Sequence, residues 1–322
     1  MLNILYTVND SYVDIMLVSL ISIIENNQHI NICFHIVADN FSLNEYHKIE
    51  SIIKRYNNVQ IKYYDFHKFN IKQFNIMDWR GTQIANSRLF FQSIIKDIDS
   101  MNNLLYLDGD TVCVGELSNL LNPKNAISAV KDSCLKERIK KYNLTSYYNS
   151  GVLLFNPHLW AVLDYEKTIR DFISKNDISN YLYPDQDILN ISLKDKIATL
   201  PFQYNMGPNS VSFNDFLLKL YYNKFIRSLS YEEVKTALND KKILHSYGLS
   251  GIKPWTYNKS NLITPEFDKY LSLIKKEYTK EELSDFLKFC DNHSTLLFFL
   301  VTLKSYLPEE INNKINKLVK KS

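Results

Sequence analysis

The chain has 322 residues, of which 45% are hydrophobic and 23% charged, a composition typical of a globular protein. Its seven glycines are spaced so that no glycine-rich dinucleotide fingerprint, no P-loop and no nucleophile elbow is present. The net charge of +3 equals the lysine surplus of the last nineteen residues, so the rest of the chain is balanced and a nucleic-acid-binding face is not indicated.

The first part of the chain alternates apolar runs with amphipathic ones. Strands are predicted at residues 2–8, 31–37 and 59–64. A helix that begins at Asp10 or Ser11 and continues through Ile24 follows the first of these strands. Ser42 and Glu45 form a capping box for a helix that extends to about residue 56. This alternation of strands and helices predicts an α/β fold with a mostly parallel sheet.

The later elements extend the same pattern and then change in character. Helices are predicted at residues 84–95 and 158–174, with a shorter one near Asp185, and strands at 103–107, 148–155 and 243–244. After about Thr264 helices dominate, at residues 265–276 and 280–289. We therefore expect an α/β domain over residues 1–263 and a helical extension with a basic tail over residues 264–322.

Asp108, Gly109 and Asp110 directly follow the apolar strand at residues 103–107. Two carboxylates at this spacing can turn toward one divalent cation, with Gly109 letting the backbone bend between them. Such an ion can hold a diphosphate and neutralise its charge as it departs. The other interpretation is a hairpin turn, with residues 111–114 as the return strand. The segment alone leaves both open.

A second polar segment begins at His245, which ends an apolar run. His245 is a candidate third metal ligand. Gly248 or Gly251 allows backbone N–H groups to approach a phosphate, and Lys253 can add a positive charge. A structural histidine followed by a solvated lysine is the alternative interpretation of this segment.

Two more segments place polar side chains beside predicted elements. Asp185, Gln186 and Asp187 begin a helix, where the carboxylates either cap it and favour its first turn or lie at the mouth of a sugar pocket. Asn149 and Ser150 begin a buried strand, where Asn149 is either a turn residue or part of the same pocket.

The order of these segments resembles glycosyltransferase family 8, which includes bacterial lipooligosaccharide galactosyltransferases and glycogenin. The resemblance extends from residue 2 to about residue 255 and rests on residues 6–12, 87–89, 106–110, 149–156, 185–190 and 245–255. It implies a GT-A fold, with a Rossmann-like central sheet. It also implies a retaining transfer of a hexose from UDP-galactose or UDP-glucose, with Mn²⁺ or Mg²⁺, to a hydroxyl of a saccharide or glycolipid acceptor.

The resemblance also assigns individual residues to parts of the site. Those matching the metal ligands are Asp108, Asp110 and His245. Those matching contacts to uracil and ribose are Thr7, Asn9 and Tyr12. Those matching contacts to the diphosphate are Gly248 and Lys253. Those matching positions around the donor sugar are Arg88, Asn149 and Asp185, with Gly109 and Ser150 in the same nucleotide-sugar motifs. Gln186 matches the residue beside the anomeric carbon, and Asp185 or Asp187 would face the developing positive charge.

This chain departs from the family pattern at two points. Asn9 stands where family members often carry an acidic residue, which affects the contact to uracil. The interval from His245 to Lys253 is two residues longer than the shorter family pattern, so either Gly248 or Gly251 supplies the phosphate contact.

Two other functions are alternatives to a glycosyltransferase. The chain could be a non-catalytic protein that binds a nucleotide-sugar, or a metal-dependent phosphohydrolase. Scattered cysteines and the absence of a visible signal peptide predict a protein of the reducing cytoplasm. The resemblance implies a bacterial enzyme of lipopolysaccharide or other cell-surface glycan biosynthesis. The apolar stretch 296–303 and the lysines after it predict either peripheral contact with an anionic membrane or a helical cap with a solvated basic end.

Overall fold

A computed structural model of the protein describes residues 1–78, 82–132, 136–226, 228–247 and 264–274. A seven-stranded sheet, with the order β3-β2-β1-β4-β7-β6-β8, lies at its centre, and β5 and β9 form a separate two-stranded sheet. The strands are β1 (Leu2–Asn9), β2 (Ile32–Asp39), β3 (Val59–Asp65), β4 (Leu104–Leu107), β5 (Thr111–Cys113), β6 (Ile127–Lys131), β7 (Tyr148–Phe155), β8 (Ala198–Thr199) and β9 (Ile243–His245).

Only β7 runs against the direction shared by the other strands of the large sheet. It pairs antiparallel with both β4 and β6, whereas the β1–β2, β2–β3, β1–β4 and β6–β8 pairs are parallel. The start of β7 therefore lies beside the carboxyl end of β4. The mostly parallel sheet expected from the sequence is confirmed.

Helices cover the sheet on both sides. They are α1 (Val13–Asn26), α2 (Leu43–Ile53), α3 (Phe91–Ile94), α4 (Lys136–Lys141), α5 (Pro157–Val162), α6 (Tyr165–Lys175), α7 (Pro184–Ser192), α8 (Pro208–Ser212), α9 (Asp215–Leu220), α10 (Tyr231–Leu238) and α11 (Thr264–Ile274). Within the ranges described, no helix is both long enough and apolar enough to cross a lipid bilayer.

Continuous apolar runs explain the central position of β1 and β2. All eight residues of β2 and the first seven of β1 are buried, as expected for parallel strands covered on both faces. Successive residues serve opposite faces, since Ile4 packs in the cluster with α1 while Leu5 packs in the cluster that contains Trp160. The predicted capping box at Ser42 and Glu45 is present at the start of α2.

The structure differs from the predicted elements where local geometry interrupts a pattern. The helix predicted at residues 158–174 is two helices, α5 and α6, because the chain turns at Asp164, which has a φ of 52°. The helix predicted at residues 84–95 is a 3₁₀ helix, Ile84–Leu89, followed by the single turn α3. The strands β6 and β8 and the helices between residues 208 and 238 were not predicted.

The beginning of the predicted extension packs on the α/β core. Phe267, Tyr270 and Ile274 of α11 are buried in the cluster that surrounds α1. Asn26, the last residue of α1, donates a hydrogen bond from Nδ2 to the Tyr270 hydroxyl at 2.6 Å. The helix predicted at residues 280–289 and the basic tail lie outside the described residues.

Candidate functional site

The turn after β4 brings two carboxylates next to a histidine from a distant part of the chain. The Asp108 carbonyl accepts hydrogen bonds from Thr111 N at 3.2 Å and Thr111 Oγ1 at 2.9 Å. β5 then leaves the large sheet and pairs with β9, with Thr111 opposite His245. The hairpin interpretation of this segment is therefore wrong, because its second strand pairs with β9 instead of with β4.

Three potential metal ligands converge at this turn. One ligand atom each from Asp108, Asp110 and His245 can be chosen so that all lie within 4.8 Å of one another. His245 Nε2 lies 3.2 Å from Asp110 Oδ1 and 3.5 Å from Asp108 Oδ2. Carboxylate oxygens with one imidazole nitrogen are a donor set that suits Mn²⁺ or Mg²⁺. The side chains therefore fit the divalent ion expected from the sequence.

The two oxygens of Asp108 have different partners. Oδ1 accepts from the Tyr106 hydroxyl at 2.6 Å and lies 3.0 Å from Arg88 Nη2. Oδ2 faces His245. The first oxygen thus fixes the carboxylate, and the second is presented to the cluster of ligands.

Opposing effects set the ionisation of these buried groups. Burial raises the pKa of Asp108, but the nearby Arg88 and His245 outweigh it, so that this pKa is lowered overall. Burial lowers the pKa of His245, but Asp110 and Asp108 outweigh it and the pKa is raised. Asp108 is therefore held as an anion, and a metal ion bound here must displace the proton that the carboxylates favour on His245.

Gly151, near the start of β7, allows the strand to pass directly behind the ligands. A Cβ atom at this position would lie 2.1 Å from His245 Cε1 and 2.6 Å from Asp108 Oδ2. The Gly151 carbonyl also accepts from Asp108 N at 2.8 Å. Any side chain here would displace two of the three candidate metal ligands, so the requirement for glycine is steric.

Arg88 connects the predicted donor-sugar residues to Asp108, one of the candidate metal ligands. Its Nε lies 3.3 Å from Asp185 Oδ2, and its Nη1 donates to the Ser150 carbonyl at 2.8 Å. The guanidinium also lies over the ring of Tyr106, 4.5 Å from its centroid. Ser150 Oγ donates to Asp185 Oδ2 at 2.8 Å. Arg88, Ser150, Asp108 and Asp185 thus form one buried network.

Gln186 is held by hydrogen bonds at both ends of its amide. Its Oε1 accepts from Ser150 N at 3.0 Å and from Asn149 Nδ2 at 3.2 Å. Its Nε2 donates to Asp132 Oδ2 at 2.8 Å. Asn149 is an internal residue of β7 and not a turn residue. The structure therefore brings residues 149, 150, 185 and 186 together.

Asp187 lies apart from this group. It is fully buried, and its carboxylate accepts hydrogen bonds from the hydroxyls of Tyr147 and Tyr142 and from Tyr183 N. The helix α7 begins at Pro184 after Tyr183, so Asp185 is not its cap. The structure thus surrounds Asp187 with tyrosines, whereas it directs Asp185 toward Arg88 and Ser150.

The predicted uracil- and ribose-binding residues lie at and just beyond the carboxyl end of β1. Thr7 Oγ1 lies 3.3 Å from the Tyr106 hydroxyl, and Asn9 Oδ1 accepts from Ser11 Oγ at 3.1 Å. The ring of Tyr12 packs on Gly109, where a Cβ would lie 3.0 Å from Tyr12 Cδ1. Gly109 therefore allows the ring of Tyr12 to approach the turn formed by residues 108–110. The φ of Gly109 is not in the left-handed region, so the reason for glycine here is space.

Two site residues were missed in the sequence. Asp132 directly follows β6, the same signal that marks Asp108 after β4. Asn205 accepts from His245 Nδ1 at 2.9 Å and has no comparable local signal, since it lies between a 3₁₀ turn and a loop. Gly248 and Lys253, the predicted diphosphate contacts, lie outside the described residues.

The large sheet is Rossmann-like, and the two carboxylates that follow its central strand β4 meet the histidine at the end of β9. This is the arrangement that the resemblance to GT-A glycosyltransferases implies. Residues 3–259 match the family model described as Glycosyl transferase family 8. The chain therefore belongs to glycosyl transferase family 8, and the resemblance seen in the sequence is confirmed.

Curated relatives act on lipopolysaccharide, according to their names. A lipopolysaccharide 1,2-glucosyltransferase of Escherichia coli K12 is 32% identical over 216 residues, which cover 63% of this chain and 62% of the relative. An Escherichia coli protein of the same name is 28% identical over 93% of this chain and 90% of its own length. A lipopolysaccharide 1,3-galactosyltransferase of Salmonella typhimurium is 24% identical over 79% of this chain and 72% of its own.

Solved structures confirm the GT-A fold. The galactosyltransferase LgtC, solved with donor and acceptor sugar analogs, superposes with a TM-score of 0.68 at 20% identity, over 89% of this chain and 100% of its own. The bifunctional glycosyltransferase WbbM superposes with a TM-score of 0.67 at 18% identity, over 90% of this chain and 51% of its own.

Proposed function

We propose that the protein is a metal-dependent, retaining hexosyltransferase. It transfers glucose or galactose from a UDP-sugar to a hydroxyl of a saccharide or lipid-linked acceptor in cell-surface glycan synthesis. The observation that carries the proposal is the convergence of Asp108, Asp110 and His245 beside Asp185 and Gln186. The names of the relatives include both glucosyl- and galactosyltransferases, so both donors belong to the proposal.

Asp108, Asp110 and His245 hold the divalent ion in this proposal. The ion supplies positive charge that stabilises UDP as it leaves the sugar. Arg88 acts on the protein side, because it binds Asp108 Oδ1 and so leaves Oδ2 directed at the ligand cluster. Lys253 and Gly248 are proposed to bind the diphosphate from the segment that follows β9.

We assign recognition of the donor to two groups of residues, one on each side of the turn formed by residues 108–110. Thr7, Asn9 and Tyr12 bind the uridine from the end of β1, and Asn149 and the Arg88 network surround the hexose. Asp185 Oδ2 is held by Ser150 and Arg88, and its Oδ1 has no hydrogen-bond partner in the described parts of the chain. That oxygen can accept a hydroxyl of the donor sugar.

Hydrogen bonding at Gln186 favours retention without a covalent glycosyl-enzyme. Ser150 N and Asn149 Nδ2 already occupy Gln186 Oε1, which leaves it poorly placed to attack an anomeric carbon. We infer front-face attack by the acceptor, assisted by the leaving phosphate. Asp185 is the carboxylate that stabilises the developing positive charge, because Asp187 is enclosed by Tyr147 and Tyr142.

The carboxyl-terminal residues carry a separate proposal about the acceptor. We propose that residues 264–322 form an extension whose basic tail brings the enzyme to a lipid-linked acceptor at the inner face of the membrane. Deletion of the residues after Leu303 should then abolish co-flotation with anionic liposomes. Unchanged flotation, or none with the full chain, would contradict the membrane proposal and favour a solvated tail.

The donor and the metal requirement can be tested without an acceptor. Purified protein with Mn²⁺ should slowly release UDP from UDP-glucose or UDP-galactose. Asp110→Asn should lower the rate by at least about 100-fold. Asp171→Asn, at an exposed residue paired with Lys167, should leave it unchanged. Release of the free hexose first as its α-anomer, read by NMR before mutarotation, would support retention.

The same assay separates the alternative functions. A binding protein would release no UDP from any donor, and a phosphohydrolase would instead act on simple phosphate esters. Release of UDP at the same rate in a chelator would contradict the proposed role of the metal.

A further inference from the structure

A chain of buried hydrogen bonds extends from the histidine of the ligand cluster to the backbone of β7. His245 Nδ1 lies 2.9 Å from Asn205 Oδ1, and Asn205 Nδ2 donates to Asn149 Oδ1 at 2.8 Å. Gly151 N donates to the same Asn149 oxygen at 2.9 Å. Asn205 is fully buried, so water does not compete for these bonds.

The backbone N–H of Gly151 determines the orientation of both amides. A backbone N–H can only donate, so the Asn149 atom that faces Gly151 must be the oxygen. The Asn205 atom that faces this oxygen must then be the nitrogen, since two oxygens at 2.8 Å would repel. The remaining oxygen of Asn205 faces His245. Each amide is thus fixed by the partner before it.

The final partner in the chain is the imidazole. Because Asn205 Oδ1 can only accept, the neutral ring of His245 must carry its proton on Nδ1. Nε2 then presents a lone pair, and this is the nitrogen 3.2 Å from Asp110 Oδ1 and 3.5 Å from Asp108 Oδ2. The tautomer is the one that a metal ligand requires.

We propose that Asn205 is a positioning residue for the divalent metal, acting through the orientation and tautomer of His245. The inference rests on the proposed metal role of His245 and adds a residue outside the ligand set. Partners that hold a ligating histidine typically contribute about 10–100-fold to metal affinity. Asn149 links this positioning to β7, so the metal side and the donor-sugar side share one network.

The first experiment measures Mn²⁺ affinity by electron paramagnetic resonance of the free ion. Asn205→Leu should weaken Mn²⁺ binding by about 10–100-fold. Asn205→Asp keeps an acceptor for Nδ1 but loses the donor to Asn149, so it should bind Mn²⁺ more tightly than Asn205→Leu and less tightly than the wild type. Asn27→Ala is the matched control, since Asn27 is also fully buried but its side chain bonds, among the residues described, to Ile23, Leu117 and Cys113.

The outcomes separate this inference from the proposed function. No Mn²⁺ binding by the wild type would contradict the proposed metal role itself. Wild-type binding with Asn205→Leu within twofold of it would overturn only the role of Asn205. An equal loss of affinity in Asn27→Ala would overturn it as well, because the effect would then follow general destabilisation.

A second measurement needs no variant at position 205. Long-range ¹H–¹⁵N spectra of the Mg²⁺-saturated wild type, with histidine labelled, should show the proton of His245 on Nδ1. His245→Asn identifies the signals by their loss. A proton on Nε2 would overturn the inference even if Asn205→Leu did not fold.

Discussion

The two halves of the central sheet reach the site in different ways. In the half formed by β3, β2 and β1, all strands are parallel, and the candidate site residues lie at or just beyond the carboxyl end of β1, as at Asn9. In the half formed by β4, β7, β6 and β8, the reversed strand β7 delivers Asn149 and Gly151 from its beginning. The first half follows the rule that sites lie at the carboxyl ends of parallel strands, and the second contributes site residues from the start of a reversed strand.

This difference predicts where the chain tolerates substitution. The parallel half is stabilised by apolar burial, exposed ion pairs and the neutral hydrogen bonds of the buried His35, whereas the half around β7 depends on a network of charged groups and amides. Matched substitutions in the two halves should therefore have different consequences.

The largest effect on stability is expected at Arg88. Arg88→Met should lower the free energy of unfolding by about 3–5 kcal/mol, because it leaves Asp108 and Asp185 without their cation. Lys62→Met in β3 removes an exposed pair with Asp97 and should cost at most about 1 kcal/mol. Urea denaturation measures both. Equal losses would contradict the contrast between the halves.

Gly151 tests the reversed strand itself. Gly151→Ala should weaken Mn²⁺ binding by more than about 100-fold, because its Cβ would displace His245 and Asp108. Gly115→Ala is also crowded, with a Cβ 2.8 Å from the Lys241 carbonyl, but lies away from the ligands. It should lose stability and keep its Mn²⁺ affinity by calorimetry. Normal Mn²⁺ binding by Gly151→Ala would rule out the close approach of β7.

His35, in β2 of the parallel half, should make the stability of the protein depend on pH. Burial, with a smaller effect of Lys62, lowers its pKa to about 4, and the ring hydrogen-bonds to Tyr64 and Asn3. In the unfolded chain His35 is protonated below about pH 6.5, whereas in the folded chain it stays neutral down to about pH 4. The stability contribution of this histidine is therefore complete above pH 6.5 and is lost as the pH falls.

Through His35, the free energy of unfolding should fall by about 2 kcal/mol between pH 7 and pH 5. Urea unfolding of the wild type and of His35→Gln at both pH values isolates the contribution, which the glutamine variant should lack. An identical pH dependence in the two proteins would show that His35 titrates normally in the folded state.

The smallest effects should be equal in the two halves. Ser42 and Ser230 are the N-caps of α2 and α10, and each forms a complete capping box. The helix α2 connects two strands of the parallel half, and α10 follows β8 in the chain. Replacement of either serine by alanine should cost about 1 kcal/mol in thermal or urea unfolding. A much larger loss at Ser230 would show that its helix supports the site and not only itself.

The sequence predicted the parallel half well because its signals are local. Apolar runs marked β1, β2 and β3, and Ser42 with Glu45 marked the start of α2. The strand β8 was missed because it has only two residues, and β6 was missed because Ser128 interrupts its apolar run. The break before α6 depends on the left-handed conformation of Asp164. Local patterns therefore identified most of the long elements and few of the short ones.

The site was only partly predictable for a related reason. Asp108, Asp110 and His245 were found from the order of motifs, and the pairing of β5 with β9 explains why they meet. Asn205 and Asp132 act through neighbours that are distant in sequence, His245 and Gln186. Asp132 has a local signal in its place directly after β6, but no local pattern encodes the contact between Asn205 and His245, so only the fold could reveal it.

The most direct test of the account is calorimetry of UDP binding with and without Mn²⁺. The account predicts that Mn²⁺ strengthens UDP binding to the wild type by at least about tenfold, and that Asp110→Asn abolishes this coupling. Equal UDP affinity in Mn²⁺ and in chelator for the wild type would contradict the claim that Asp108, Asp110 and His245 hold a metal ion that binds the nucleotide.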